Sequence, residues 1–153
     1  MVRIESGLEL VSSGFELESR SNRSRMSAMS AILVVDDDPQ VLEVVGEMLR
    51  LEGYDVATAV DGRDAVDKFR ATLFDLVITD LIMPEKEGLE TITEMKTLRG
   101  NVPVIAMSGG GRIGPTDYLE TARYIGAAAT LAKPFARSEL IALVGQLLSE
   151  AES

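Results

Sequence analysis

The feature that most constrains the fold of this chain is a fivefold alternation of short apolar segments with helical patterns. The segment 31–35 (Ala-Ile-Leu-Val-Val) is apolar throughout, which is typical of a strand buried on both faces. The predicted strands cover residues 31–35, 54–59, 76–79, 102–107 and 128–132. The first predicted helix follows the acidic run and ends before Gly53. The other four cover residues 61–72, 88–98, 115–125 and 138–148. This order predicts an α/β fold, a doubly wound parallel sheet with helices on both faces and right-handed crossovers.

Acidic and polar residues stand where the predicted strands end. The first strand runs into Asp36-Asp37-Asp38, the third into Asp80, the fourth into Ser108 and the fifth into Lys133. Because the carboxyl ends of parallel strands share one edge, these side chains are expected to meet there. Clustered carboxylates repel one another, and an all-oxygen site of this kind suits Mg²⁺. A metal and a lysine together neutralise a phosphoryl group, for which a carboxylate is a suitable acceptor.

Each of these residues also has a structural explanation. Asp38 before Pro39 is a good helix start, so part of the acidic cluster is a capping pattern. Asp80 suits a turn, while Lys133 and Ser108 taken alone are ordinary surface residues. Their joint placement at one edge of the sheet is what favours a functional site.

Composition excludes several kinds of chemistry. The chain has no cysteine and no histidine, which removes disulfides, thiol catalysis, His-containing triads and His-ligated metals. The net charge is −10, and residues 1–30 balance four basic against four acidic side chains, so the excess negative charge lies after them. An acidic domain without a basic stripe argues against direct nucleic-acid binding. No apolar stretch is long enough to cross a membrane, which predicts no membrane partner.

Residues 1–30 lack sustained periodicity and are predicted to be a flexible N-terminal extension. No apolar core of a signal peptide is present there. Met26 and Met29 lie just before the first strand, so either is an alternative start of the natural protein.

Four separated motifs resemble the receiver domain of bacterial two-component response regulators. They are Ile-Leu-Val-Val-Asp36-Asp-Asp-Pro, Asp80-Leu-Ile-Met-Pro-Glu-Lys-Glu-Gly, Ser108 and Lys133-Pro-Phe. The resemblance covers residues 31–150 and implies a flavodoxin-like fold with five strands and five helices.

The resemblance assigns the acids and one carbonyl to phosphoryl and metal chemistry. Asp80 matches the phosphoacceptor, which takes a phosphoryl group from a histidine kinase, a histidine phosphotransfer protein or a small phosphodonor. Asp37 matches the direct Mg²⁺ ligand, and Asp36 matches the acid that acts through a bound water. The Ile82 backbone carbonyl matches a further ligand, so the implied metal set is Asp36, Asp37, Asp80 and Ile82.

The resemblance also assigns the residues that respond to phosphorylation. Lys133 matches the partner of Asp80 and then of a phosphoryl oxygen, and Ser108 matches the hydroxyl that follows the phosphoryl group. Pro134 stands where the family often has a cis peptide. The implied protein is a cytoplasmic single-domain response regulator that catalyses only its own phosphorylation and dephosphorylation. Its implied partners are a kinase or phosphotransfer protein and a downstream protein target, and the residues after Leu148 are too few for an output domain.

Some positions depart from the family pattern. Thr130 stands where an aromatic switch residue is usual, and Tyr124 is a weak substitute. Ile82 and Gly110 match the two positions that influence water attack on the phosphoryl group, and they predict slow self-dephosphorylation. A phosphoryl lifetime of seconds in Mg²⁺ would contradict that prediction.

The connection after Ser108 is glycine-rich and longer than the resemblance leads us to expect. It fits either a role in partner specificity or a tolerated insertion. Gly109-x-Gly111-x-x-Gly114 also has the form of a dinucleotide fingerprint, but no acid ends the next strand as that motif requires. The alternatives are therefore a dinucleotide-dependent oxidoreductase, a magnesium-dependent phosphohydrolase, and a receiver-like module that binds partners without phosphorylation. A hydrolase needs a second acid or base beside the nucleophile, which Leu81 and Ile82 do not supply.

Overall fold

The computed structural model describes residues 30–81, 88–109 and 115–152. Within these ranges the strands are β1 (Ala31–Val35), β2 (Asp55–Ala59), β3 (Leu76–Asp80), β4 (Val104–Ser108) and β5 (Ala129–Ala132). The helices are α1 (Pro39–Leu51), α2 (Gly62–Ala71), α3 (Gly88–Leu98), α4 (Pro115–Tyr124) and α5 (Arg137–Glu152). The predicted alternation of five strands with five helices is confirmed.

The strands form one sheet in the order β2-β1-β3-β4-β5, and every described pairing is parallel. The strand order reverses between β1 and β3, so the chain leaves these two neighbouring strands in opposite directions across the sheet. A crevice opens at such a point, outside the carboxyl ends of the strands, and ligands of α/β sheets bind there.

Two apolar layers cover the faces of the sheet, as a doubly wound fold requires. Leu33, Val35 and Val77 pack on one face with Phe69 of α2 and Met95 of α3. The opposite face carries a second layer with residues from α1 and α5. Its fully buried members include Ile32, Val34, Leu49, Ile78, Ile105 and Leu140.

Helix α1 begins directly after the acidic run, because Asp38 is its N-terminal cap. The Asp38 side chain accepts a hydrogen bond from the backbone N–H of Gln40 at 2.9 Å, and Pro39 occupies the first turn, where no N–H is needed. The structural explanation of Asp38 is thus confirmed. Asp36 and Asp37 are left for the edge of the sheet.

The observed boundaries differ slightly from the predicted ones. β4 begins at Val104 rather than at Val102, since Pro103 has no N–H to give to a ladder. β3 includes Asp80, because the following Leu81 N–H still bonds the Met107 carbonyl at 3.0 Å. β4 includes Ser108, because the Ser108 carbonyl accepts the Lys133 N–H at 2.7 Å. Helix α5 extends to Glu152. In the described part of the chain, no helix has the length and apolar character needed to cross a membrane.

Candidate functional site

The carboxyl edge of the sheet brings together side chains from four strands. Asp36 follows β1, Asp80 ends β3, Ser108 ends β4 and Lys133 follows β5. The strand order places β1 beside β3 and continues through β4 to β5. The predicted residues therefore meet because of the topology, although they are widely separated in sequence.

Asp36 is held in place through both of its carboxylate oxygens. Its Oδ1 accepts the backbone N–H of Asp38 at 2.9 Å, and its Oδ2 accepts the ammonium of Lys133 at 2.8 Å. The side chain is almost fully buried. A buried carboxylate with both oxygens hydrogen-bonded has a fixed orientation, so Asp36 is a carboxylate held in one position at the site.

Lys133 joins the two central carboxylates. Its Nζ lies 2.8 Å from Asp36 Oδ2 and 3.3 Å from Asp80 Oδ1. Its backbone N–H donates to the Ser108 carbonyl at 2.7 Å, and the peptide bond from Lys133 to Pro134 is cis. Burial lowers the pKa of Lys133, but the hydrogen bond to Asp36 and the charges of Asp80 and Asp36 outweigh burial and raise that pKa above its usual value. The side chain therefore stays charged.

Asp80 is a carboxylate that ionises with difficulty. Only 7% of the residue is exposed. Burial raises the pKa of Asp80 to about 6, and the nearby charges of Asp36 and Asp37 act in the same direction, while Lys133 opposes them. A further positive charge beside Asp80 would therefore stabilise its ionised form.

The hydroxyl of Ser108 is buried, and it has no hydrogen-bond partner among the described residues. A buried hydroxyl without a partner costs free energy, so such groups are few in native structures and call for an explanation. Ser108 stands on the same edge as Asp80 and Lys133. Its free hydroxyl is available to a group that enters the site.

The three predicted acidic metal ligands form a cluster that fits a hard cation. Asp36, Asp37 and Asp80 each offer a carboxylate oxygen within 4.8 Å of the others, and Asp37 is exposed. An all-oxygen donor set with one solvent-facing member suits Mg²⁺, which retains several water ligands. Ile82 lies outside the described residues, as do Gly110 and positions 111–114 of the glycine-rich loop.

Two contacts around Asp80 were not foreseen in the sequence. The Thr79 hydroxyl donates to the Asp80 backbone carbonyl at 3.0 Å. A Cβ atom at Gly88 would lie 2.2 Å from the same carbonyl oxygen, so the start of α3 approaches this peptide as only glycine allows. Nothing in the local sequence distinguishes Thr79 from an ordinary strand threonine, because its hydroxyl bond depends on tertiary structure.

Thr130 and Tyr124, which concern the aromatic position of the family pattern, both lie among the described residues. Thr130 is half-buried in β5 and pairs with Ala106 of β4. Tyr124 ends α4 and is 91% exposed, so its ring has no packing role in the described structure.

Beside the site, a cavity of about 500 Å³ lies between α1 and the chain after Lys133. Its apolar lining includes Val41, Val44, Val45, Met48, Pro134 and Phe135.

A sequence model of the response regulator receiver domain matches residues 32–145. The chain is 38% identical over 126 residues to the transcriptional regulatory protein CpxR homolog of Haemophilus influenzae, covering 82% of this chain and 53% of that protein. It is 33% identical over 120 residues to the chemotaxis protein CheY of Treponema pallidum, covering 76% of this chain and 81% of that protein.

Solved structures give the same answer. The response regulator receiver domain protein (CheY-like) of Methanospirillum hungatei aligns with a TM-score of 0.76 at 27% identity, covering 81% of this chain and 97% of that one. A receiver domain protein of Clostridium thermocellum aligns with a TM-score of 0.74 at 27% identity, covering 80% and 96%.

These matches establish the class: the chain belongs to the response regulator receiver family of two-component signalling. Phosphoaspartate and Mg²⁺ are features of that family. The chain spans about half the length of several of the curated relatives it matches, which are named as transcriptional regulatory proteins.

Proposed function

We propose that this protein accepts a phosphoryl group on Asp80, with Mg²⁺ required, and that the modified domain binds a partner differently or passes the phosphoryl group on. One observation carries the proposal. Asp80 is a buried carboxylate with two further acids within 4.8 Å and a lysine ammonium at 3.3 Å, beside a hydroxyl without a partner in the described residues. This arrangement supplies a nucleophile together with the charge neutralisation that phosphoryl transfer needs.

The transfer requires little chemistry from the protein. A carboxylate oxygen of Asp80 forms a bond to phosphorus while the phosphorus–nitrogen bond of a phosphohistidine breaks. The bonding electrons stay with the ring nitrogen, and the ring leaves as neutral imidazole once its other nitrogen is protonated. With acetyl phosphate the phosphorus–oxygen bond breaks instead, and acetate leaves. Lys133 would stabilise a phosphoryl oxygen, and the Ser108 hydroxyl would donate to another; the contact of Lys133 with Asp80 and the unpartnered Ser108 hydroxyl support these roles.

Asp36, Asp37 and Asp80 would hold the metal, with the Ile82 carbonyl as the ligand that the resemblance adds. When bound, Mg²⁺ supplies positive charge against the phosphoryl oxygens. Asp36 keeps its geometry through the Asp38 N–H and Lys133, so the cluster is held before any ligand arrives. Such preorganisation lowers the cost of binding a highly charged group.

The proposed partners are a sensor histidine kinase or a histidine phosphotransfer protein and a downstream protein target. The apolar cavity between α1 and Phe135 adjoins the site and offers a surface where a donor protein could pack. Because Thr130 has no ring to move, the response of Ser108 must reach the surface by another route, through β4 or α4. The acidic charge supports the proposal that residues 31–150 make no direct contact with DNA.

The domain assignment belongs to the same proposal. Residues 31–150 are taken as the receiver and residues 1–30 as an extension, with the domain acting in the cytoplasm and on no substrate other than itself. The test of this assignment is a protein that begins at Met29. If it is phosphorylated as fast as the full chain, the extension is not needed for the reaction; a slower rate would contradict the assignment.

The proposed chemistry is tested by intact-mass spectrometry after incubation with acetyl phosphate and Mg²⁺. The wild type should gain the mass of one phosphoryl group, and Asp80→Ala and an EDTA-treated sample should not. Asp67→Asn, which alters an exposed acid on α2, is the matched control and should behave as wild type. No adduct on wild type with any donor, despite Mg²⁺ binding, would favour a module that binds partners without phosphorylation.

A further inference from the structure

Thr79 directly precedes Asp80, the proposed phosphoacceptor, and its hydroxyl makes a hydrogen bond to the backbone. The residue is fully buried near the end of β3. Its Oγ1 donates to the backbone carbonyl of Asp80, the next residue, at 3.0 Å. The hydroxyl therefore binds the backbone carbonyl of the residue whose side chain is the proposed nucleophile.

The core around Thr79 does not need a hydroxyl. Thr79 pairs with Val35 on one side and with Ala106 on the other, both buried and apolar. A valine has the same shape and would fill this position without a buried polar atom to satisfy. A threonine in such a place is stable because it has an acceptor, and that acceptor is the Asp80 carbonyl.

The peptide that joins Asp80 to Leu81 is also restrained by its other neighbours. The Leu81 N–H of this peptide donates to the Met107 carbonyl at 3.0 Å. The carbonyl of the next peptide, that of Leu81, accepts the Gly88 N–H at 2.9 Å. Gly88 approaches so closely that a Cβ there would lie 2.2 Å from the Asp80 oxygen and 2.5 Å from Leu81 Cα. The Thr79 hydroxyl completes these restraints from within the strand.

We propose that Thr79 is a positioning residue for phosphorylation: by holding the Asp80 carbonyl it fixes the peptide plane and so the aim of the Asp80 carboxylate. The inference rests on the proposed function of Asp80. The carbonyl carbon and Cβ are both bonded to Cα, so a tilt of the peptide plane also tilts the Cα–Cβ bond and moves the carboxylate oxygens relative to Lys133 and the other acids. In-line attack depends on this placement, and an error of about 1 Å can cost up to about a hundredfold in rate.

The test compares Thr79→Val, which removes the hydroxyl and keeps the shape, with Thr79→Ser, which keeps the hydroxyl. Initial rates of Asp80 phosphorylation are measured by intact mass over a range of acetyl phosphate concentrations in Mg²⁺, with the melting temperature recorded in parallel. Thr58→Val is the matched control, because Thr58 lies in β2, two strands from β3.

The maximal rate of Thr79→Val should fall about five- to tenfold with the half-saturating donor concentration unchanged, as expected when alignment and not binding is lost. Thr79→Ser should return to within about twofold of wild type, and Thr58→Val should match wild type. Should the valine variant not fold, Thr79→Cys replaces it, since a thiol is a weak donor, and the same fall is expected.

A wild-type rate in Thr79→Val overturns the inference while the proposed function stands. A serine variant as slow as the valine variant also overturns it, because packing and not the hydroxyl would then control the rate. If wild-type protein gains no phosphoryl group from any donor, the proposed function fails, and the positioning role fails with it.

Discussion

Lys133 Nζ lies nearer to Asp36 than to Asp80, at 2.8 Å from the first and 3.3 Å from the second. The ammonium thus has its shorter contact with the more buried carboxylate, which also accepts the Asp38 N–H. Lys133 therefore holds the two central carboxylates of the site together.

Removing Lys133 should destabilise the folded protein as well as impair its chemistry. In Lys133→Met, Asp36 stays buried without its cationic partner, and the free energy of unfolding at pH 7 should fall by about 3 kcal/mol. Urea denaturation without Mg²⁺ measures the loss. Lys68→Met, which removes an exposed pair with Asp64, is the control and should cost less than about 1 kcal/mol. Equal effects of the two substitutions would contradict this account of Lys133.

The pH dependence of stability should carry the signature of Asp80. Its pKa is about 6 in the folded protein against 3.8 for the ordinary group, so the folded state binds the proton more tightly. Asp80 therefore opposes folding increasingly as the pH rises from about 4 to about 6, and the effect is constant above that range. Asp80→Asn should gain about 2 kcal/mol over wild type between pH 4.5 and pH 7.5, because part of the effect is already present at pH 4.5.

That comparison is made by urea denaturation in EDTA at both pH values. The difference between variant and wild type isolates Asp80 from the other carboxylates, which titrate in both proteins. A gain of the same size at both pH values would mean that Asp80 has an ordinary pKa.

Two glycine substitutions should have opposite effects on stability. In Gly88→Ala the new methyl group would meet the Asp80 carbonyl at 2.2 Å, and the shift it forces should lower the free energy of unfolding by about 1–3 kcal/mol. Gly145→Ala in α5 has no neighbouring atom within 4 Å and should gain about 0.5–1 kcal/mol from helix propensity. Thermal unfolding ranks the three proteins. A stabilised Gly88→Ala would show that α3 does not press on the peptide that joins Asp80 to Leu81.

Ser108→Ala should separate stability from switching. Because the hydroxyl is buried and unpaired within the described residues, its removal should change the free energy of unfolding by less than about 0.5 kcal/mol, or raise it slightly. The phosphorylated protein should still form, since Asp80 and Lys133 are unchanged. Amide NMR spectra should show smaller phosphorylation-induced shifts in β4 and α4 than in wild type. A loss of several kcal/mol would reveal a hydroxyl partner in the unphosphorylated protein.

The sequence predicted the strand ends well because the carboxyl edge of a parallel sheet depends on topology alone. Asp36, Asp80, Ser108 and Lys133 were placed on one edge from the order of strands and helices, and the structure brings them there. Apolar runs and helical periodicity suffice to predict that order, because each can be recognised in the sequence alone. The order then determines which strand ends share an edge.

The finer contacts could not be predicted, because they depend on distances between atoms. The resemblance pairs Lys133 with Asp80, whereas the structure adds a shorter contact to Asp36. Thr79 reads as an ordinary strand residue, and the closeness of Gly88 to Asp80 depends on the path that α3 takes. Registers and side-chain hydrogen bonds of this kind are decided by packing.

The ion pair between Lys133 and Asp36 joins residues 97 positions apart, one after the first strand and the other after the last. A chain still emerging from the ribosome, or one whose fifth strand has detached, has the acids but lacks the ammonium that organises them. The arrangement of these acids therefore depends on the folding of the last strand. If Asp80 accepts a phosphoryl group as proposed, an unfinished copy, or one whose last strand has detached, would therefore be a poor acceptor.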